Sequence, residues 1–268
     1  MHKIGFIGCG NMGGAMLKKM LDTGLFSSSD VIIADKSKEI RDMWEKEWGI
    51  ATTADNIKAV DAEIIYLAVK PQFLSDVAKE IAAAIPRNAL IISIVMSYDL
   101  SRLTEILQNT ALPIVRVMPN TPALIGEGVL ASCRNEFVSS EQWEMALKML
   151  SCMGIAREIP ENLMEAVTGV SGCGPAFACL FMEAMADAGV RGGLPRKMAQ
   201  EFAAQTLLGS AKLLLETGKH PGELKDMVTS PAGATIEGVA ALEKNGFRNA
   251  VIEAVDAAIK RAKAFETK

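Results

Sequence analysis

The chain has 268 residues, more than most single hydrophobic cores accommodate, so two domains are expected. Half of the residues are hydrophobic and 22% are charged, which is an ordinary globular composition. A formal net charge of −4 without a basic stripe argues against a nucleic-acid partner, and no unbroken run of about 18 apolar residues predicts a membrane-crossing helix. The opening MHKIGFIG does not read as a signal peptide, because its apolar run ends at once in glycines. The five cysteines (Cys9, Cys133, Cys152, Cys173 and Cys179) are scattered without a CxxC pair. Free thiols in a reducing cytoplasm are expected, with no metal site.

Residues 3–7 form a short strand of β-branched and aromatic side chains. Gly8, Gly10 and Gly13 follow as GxGxxG, and Met12, Met16, Leu17 and Met20 continue at helical spacing up to Gly24. In such a unit the first glycine permits the tight turn. The second lets backbone approach a pyrophosphate, and the third lets helix and strand pack closely. The helix start supplies unpaired N–H groups to the phosphates. A second strand, DVIIAD, ends at Asp35, 22 positions past Gly13, where a ribose-binding carboxylate belongs. The pattern is that of a Rossmann-like dinucleotide-binding domain. Asp35 favours the free 2′-hydroxyl of NAD, whereas Lys36, Ser37 and Lys38 suit the 2′-phosphate of NADP. The two signals conflict.

The α/β alternation continues. Residues 62–72 are a nearly continuous apolar strand, as expected where both faces are covered. Lys70-Pro71 stops it at its carboxyl end, where open α/β sheets bind ligands. Helix 72–84, strand 90–95, helix 100–107 and strand 113–118 follow. The loop PNTPALIGEGV then places Asn120 and Thr121 beside the expected nicotinamide position. Short strands at 128–132 and 156–159 flank a helix at 141–153.

From Pro160 the strand signal disappears, and an all-α domain of about 110 residues follows. Gly189 and Gly218 read as helix stops, and Pro221 opens a short helix. His220, in KHPG, reads as a cap or surface residue rather than a catalytic base. Residues 175–188 are apolar nearly all round, apart from Glu183 and Asp187, and such a helix must be buried. In so small a domain that burial predicts a homodimer through the C-terminal helices. Two small-residue turns interrupt them. TGVSGCGPAF, residues 168–177, suits close helix packing. VTSPAGATIEG, residues 228–238, breaks one helix at Ser230, Pro231 and Gly233 and opens another. Its unpaired amides from Gly233 to Thr235, with the Ser230 and Thr235 hydroxyls, suit an anion.

FIGCGNMGGAM, YLAVKPQ, VMPNTPALIGEGV, TGVSGCGPAF, AGVRGGLPR and HPGELKDMVTSPAGATIEGVAALE together resemble the pyrroline-5-carboxylate reductases along the whole chain. The resemblance implies reduction of the cyclic imine Δ1-pyrroline-5-carboxylate to L-proline by NADPH, with NADH open. It implies a Rossmann-like domain over 1–159, an all-α dimerisation and substrate domain over 160–268, and homodimers that can assemble into decamers. The family's carboxylate loop falls on Val228, Ser230, Gly233, Ala234 and Thr235, and it faces the cofactor of the partner subunit. Thr235 and Ser230 are the residues expected at the reaction, Thr235 as a hydrogen-bond donor and not as the formal proton source. Cofactor contacts fall on Gly8, Cys9, Gly10, Asn11, Met12 and Gly13, on Asp35, Lys36 and Ser37, on Ala68, Val69, Lys70 and Pro71, and on Met118, Pro119 and Asn120. The sequence departs from the family at Met96-Ser97-Tyr98, where many members have a small Ala-Gly turn. The rival expectations are a β-hydroxyacid dehydrogenase, for which Lys197 or Lys212 would have to serve as the catalytic lysine, another imine reductase of the same fold, and a non-catalytic NAD(P)-binding protein.

Overall fold

The computed structural model describes residues 2–266. They divide into two compact units. One runs to Gly172 and takes in the C-terminal stretch from Ile259, and the other is Cys173–Ala258.

Among the described residues, eight strands of the first unit form one sheet. They are β1 (His2–Ile7), β2 (Val31–Ala34), β3 (Ala51–Thr53), β4 (Ala62–Leu67), β5 (Leu90–Ser93), β6 (Ile114–Met118), β7 (Gly128–Arg134) and β8 (Gly154–Glu158). The order is β3-β2-β1-β4-β5-β6-β7-β8, with only the β6–β7 pair antiparallel. Helices α1 (Asn11–Asp22), α2 (Lys38–Trp48), α3 (Asn56–Ala59), α4 (Pro71–Ile81), α5 (Leu100–Ile106) and α6 (Ser140–Ser151) make the crossovers. The chain winds outward from β1 to β3 and then returns to β4 on the other side of β1. Ligands of such sheets bind where the winding reverses, outside the carboxyl ends of β1 and β4.

Both faces of the central strands are buried. Ile4, Phe6 and Tyr66 pack with Met16, Leu17 and Met20 of α1, while Ile7, Ile65 and Leu67 pack with Leu74, Val77 and Ile81 of α4. Phe6 stacks on Tyr66 with ring centroids 4.6 Å apart. The continuous apolar runs of β4 and β5 follow from this double cover.

Three elements escaped the sequence reading: β3, α2 and the single turn α3. β3 is a three-residue edge strand with no buried side chain, so it has no apolar signature. α2 buries only Trp44 and is held at its start by Ser37, whose hydroxyl accepts the Ile40 N–H. Gly189 is not a helix stop: α8 runs through it to Arg191, and the reversal falls on Gly193 at φ +97°. Gly189 instead gives the next helix room, since a Cβ there would lie 3.2 Å from the Ala199 Cβ.

After β8 come α7 (Met164–Val167) and a π-turn at Thr168–Gly172. The helical unit then holds α8 (Gly174–Arg191), α9 (Arg196–Thr217), α10 (Pro221–Met227), α11 (Ala234–Lys244) and the start of α12 (Phe247–Glu266). Within this unit only Ala186, Ala199 and Ala203 are buried hydrophobics among the described residues. Leu180, Phe202, Leu215, Met227 and Ile252 are each more than half exposed. Three alanines do not make a core. Apolar surface on this scale marks an association face.

The stretch Glu161–Arg191 is long and apolar enough, by length and composition, to cross a membrane. The search for an unbroken apolar run missed it because charged residues punctuate the average. Its first turns are tied to β6 by Arg116, which pairs with Glu161 and Glu165. Those ion pairs hold this end of the stretch on a sheet rather than in lipid.

One glycine tests the packing of α3 on β1. A Cβ at Gly5 would lie 1.8 Å from the Ala59 carbonyl oxygen, a backbone atom that cannot rotate away. Gly5→Ala is expected to cost about 3 kcal/mol or more. Thermal unfolding should show a Tm lower by roughly 6–12 °C. An unchanged Tm would contradict the packing described.

Candidate active site

The glycine loop leaves β1 at Gly8, whose φ of +83° is the left-handed turn the motif requires. A side chain on Gly13 would meet the Ala68 Cβ at 2.8 Å, so this glycine sets how closely α1 approaches the end of β4. Around Gly10 a Cβ would find no atom within 4 Å, which is open space facing the helix start. Gly10 is also the N-cap of α1, and no side chain caps that end. The Asn11, Met12 and Gly13 amides have no acceptor among the described residues. A diphosphate fits such a place: free N–H donors, the positive end of a helix, and no Cβ in the way.

Asp35 anchors this loop. One of its carboxylate oxygens accepts the Cys9 N–H at 2.8 Å, and the other accepts the Ser37 N–H at 2.9 Å. The carboxylate therefore ties the glycine turn to the end of β2. Arg41 covers the same turn, donating from Nη1 to the carbonyls of Asp35 (2.6 Å) and Lys36 (3.0 Å). Sequence reasoning missed Arg41, which lies in the unforeseen α2.

A cavity of about 440 Å³ runs along this edge, lined among others by Gly8, Gly10, Asp35, Lys36, Ser37, Asn56, Ala68, Val69 and Lys70. The glycine loop, the end of β2 and the end of β4 thus share one cleft. Lys38 is drawn away to Asp42 at 2.7 Å and does not line it. Asn56 and Phe73 line it unforeseen. Asn56 starts α3 behind the Asp55 cap, which was the available signal, and its Nδ2 donates to Glu80 at 2.9 Å. The Cys9 thiol is buried, and burial, reinforced by the Asp35 charge, holds its pKa far above the usual range. Cys9 therefore acts through its backbone.

At the end of β6, Asn120 is buried with both ends of its amide engaged. Its Oδ1 accepts the Val129 N–H at 2.9 Å, and its Nδ2 donates to the Ser171 carbonyl at 3.1 Å. Its side chain fixes the Met118-Pro119-Asn120 loop in place. Ser97, in the segment that departs from the resembling family, has φ +68°, a conformation that glycine adopts without strain.

In the helical unit, Ser230-Pro231-Ala232-Gly233 is a turn closed by the Gly233 N–H on the Ser230 carbonyl at 3.1 Å. Ala232 has φ +56°, and Pro231 before it suits the first corner of a type II turn. A side chain on Gly233 would lie 2.3 Å from the Ser230 Oγ. Gly233 is the N-cap of α11, again without a side-chain cap. The Ala234 and Thr235 amides and the Ser230 and Thr235 hydroxyls have no partner among the described residues. Val228 is exposed just before this turn. The arrangement offers a small anion two amides and two hydroxyls. His220, by contrast, is spent as a cap: its Nδ1 accepts the Gly222 N–H at 3.1 Å. No group of three or more potential metal-ligating side chains occurs among the described residues.

Fold and cradle define an α/β domain of the dinucleotide-binding class, followed by a helical unit in which α11 starts without a side-chain cap. A family model for pyrroline-5-carboxylate reductase dimerisation matches residues 161–265, and a model for coenzyme F420-dependent NADP oxidoreductases matches residues 3–97. A pyrroline-5-carboxylate reductase of Synechocystis sp. is 44% identical over 261 residues, covering 97% of each chain. The Escherichia coli enzyme of that name is 44% identical over 255 residues, covering 94% of each. The crystal structure of a Plasmodium falciparum pyrroline carboxylate reductase with NADP bound superposes with a TM-score of 0.88 at 33% identity, covering 99% of this chain and 98% of that one. The chain belongs to the pyrroline-5-carboxylate reductase family. Membership removes the need for a catalytic lysine, and Lys197 and Lys212 stand exposed on α9.

The double grip of Asp35 makes a clear prediction. An Asn at this position presents one acceptor oxygen, so an N–H of the loop would face an amide N–H. Loss of a hydrogen bond to a charged group costs roughly 1.5–3 kcal/mol. Asp35→Asn should therefore weaken binding of reduced dinucleotide roughly tenfold to a hundredfold in a fluorescence titration. A Kd within twofold of the wild type would count against the clamp.

Proposed function

We propose that this protein reduces Δ1-pyrroline-5-carboxylate to L-proline with a reduced nicotinamide dinucleotide, the last step of proline biosynthesis. The observation that carries this is the helix start at Gly233-Ala234-Thr235, flanked by two unpartnered hydroxyls, in a chain whose other unit holds a dinucleotide cradle. The bound cofactor supplies the hydride for the C=N carbon. Everything else asked of the protein is orientation and charge.

The Ala234 and Thr235 amides and the Ser230 hydroxyl grip the substrate carboxylate, and the α11 dipole adds to the attraction. Val228 and Gly233 shape the wall of that grip. The Thr235 hydroxyl donates a hydrogen bond toward the imine nitrogen, directly or through water. An aliphatic hydroxyl is a poor acid, so solvent supplies the proton that completes the amine. Fixing an already electrophilic imine at attack distance can supply several kcal/mol of barrier lowering without a general base. This suits a chain with two histidines, one of them used as a cap.

On the cofactor side, Gly8, Gly10, Asn11, Met12 and Gly13 receive the diphosphate, and Cys9 positions the loop through its bond to Asp35. Lys36 and Ser37 meet the adenosine ribose, and NADPH is the cofactor we favour because Lys36 carries positive charge into that cleft. Ala68, Val69, Lys70 and Pro71 line its edge, and the backbone of Met118, Pro119 and Asn120 borders the nicotinamide end. Residues 1–159 serve the cofactor, and residues 160–268 serve substrate and assembly. The protein works in the cytoplasm as a homodimer joined through the exposed apolar faces of its C-terminal helices, with decamers as the higher assembly.

A steady-state assay of pyrroline-5-carboxylate with NADPH and NADH in parallel should show turnover with both and a lower KM for NADPH. Absence of dinucleotide consumption would sink the proposal. Thr235→Ala should lower kcat/KM for the imine roughly tenfold to a hundredfold, the value of one or two hydrogen bonds to a charged group. Its dinucleotide Kd should stay within about twofold. Light scattering should find a dimer or larger species, and a clean 28.7 kDa monomer would refute the assembly.

A further inference from the structure

A buried network beside β6 has no part in the cofactor and substrate contacts above. Arg116 stands in the middle of β6 and is 3% exposed. With Met118 and Cys133 it faces the sheet surface covered by Met164 and Val167, away from the main core. Its Nη1 donates to Glu161 Oε1 at 3.0 Å, and its Nη2 lies 3.8 Å from Glu165 Oε1. The same Glu161 oxygen accepts the Leu100 N–H at 2.8 Å, the first residue of α5. The neighbouring Cys133 thiol is pushed up to about 12, mainly by burial and then by the Glu161 charge, so it adds no charge of its own.

Four residues beyond Arg116, Asn120 holds the other end of the same segment through its bond to the Ser171 carbonyl. Ser171 lies in the π-turn Thr168–Gly172, a rare geometry that often sits at functional places. The segment 161–172 is thus fastened twice to one strand and its extension, at its start by Arg116 and at its end by Asn120. Gly172 is the last residue of the first unit before the helical unit begins.

Asn120 was expected as a cofactor contact. Its side chain is instead committed to Val129 and to the π-turn. We infer that Asn120 is a positioning residue, anchored by the Arg116–Glu161–Glu165 cluster, that holds the Met118–Asn120 backbone and the π-turn in the geometry hydride transfer needs and adds little to cofactor affinity. Misplacement by about 1 Å can cost a hundredfold in rate without loss of binding. The inference rests on the reductase reading above.

The test uses the full chain and separates rate, affinity and local order. Asn120→Asp keeps an acceptor for the Val129 N–H but cannot donate to the Ser171 carbonyl. Glu165→Gln weakens the anchor at a distance from the cleft. In both, kcat for the imine should fall tenfold or more while the NADPH Kd, read by fluorescence, stays within threefold. Hydrogen exchange should speed in residues 168–172 with the rest of the sheet still protected. Arg116→Lys should retain more of the wild-type kcat than Arg116→Met. A Kd that weakens in step with kcat would make Asn120 a direct cofactor contact. An unchanged kcat with faster exchange would make the network merely structural. Either result overturns the inference while wild-type turnover keeps the reductase reading intact. A wild type without imine turnover overturns both.

Discussion

The structure depends on what a helix start leaves unpaired. The first amides of every α-helix lack an intrahelical acceptor, and five helices of this chain, among the described residues, satisfy one of them with a side chain. Ser37, Asp55, Asp99, Ser139 and His220 each accept a backbone N–H at the start of their helices. α1 and α11 do not. Both begin on a glycine in extended backbone, Gly10 and Gly233, with no side chain folded over the end. A glycine N-cap forgoes about 1 kcal/mol or less of local stability and leaves the donors to something else. In the proposed reaction the something else is a diphosphate at one helix and a carboxylate at the other.

Glycine matters differently at the two starts. At Gly10 nothing surrounds the absent Cβ, so the residue keeps space for a ligand. At Gly233 the absent Cβ would strike the Ser230 hydroxyl, so the residue lets a protein group fill the space. One glycine leaves its helix start open, and the other admits a hydroxyl beside it. The Asp35 carboxylate plays the corresponding part at the first start: it accepts the Cys9 N–H and fixes the loop, while the Asn11, Met12 and Gly13 amides have no acceptor among the described residues.

This difference explains what the sequence made legible. GxGxxG, the apolar strands β4 and β5, and the break at Ser230–Gly233 are local patterns with local causes, and each lies where its pattern placed it. β3 went unseen because a three-residue exposed edge strand leaves no periodicity to read. α2 carries a legible stripe, Ile40, Met43, Trp44 and Trp48 at helical spacing, which the reading passed over, and α3 is a single turn whose one signal is the Asp55 cap. Arg41 was lost with α2. Gly189 misled because glycine is a stop signal only where a left-handed turn is needed, and here it serves a close approach to Ala199. The double engagement of Asn120 joins positions nine and fifty-one residues away, which no spacing rule anticipates.

The two units solve opposite problems. The α/β unit buries both faces of its sheet and can afford a solvent-open cleft, since its core is complete. Among the described residues the helical unit buries three hydrophobic side chains, all alanines, and leaves leucines, methionines and two phenylalanines, Phe202 and Phe247, exposed, which fits association through this unit. That association has a chemical consequence. Hydride transfer to an imine needs little acid or base but strict distance and angle, and rigid elements supply both more directly than a flexible catalytic side chain would. The proposed association of the helical unit thereby suits a reaction in which the protein contributes geometry and the cofactor contributes the electrons.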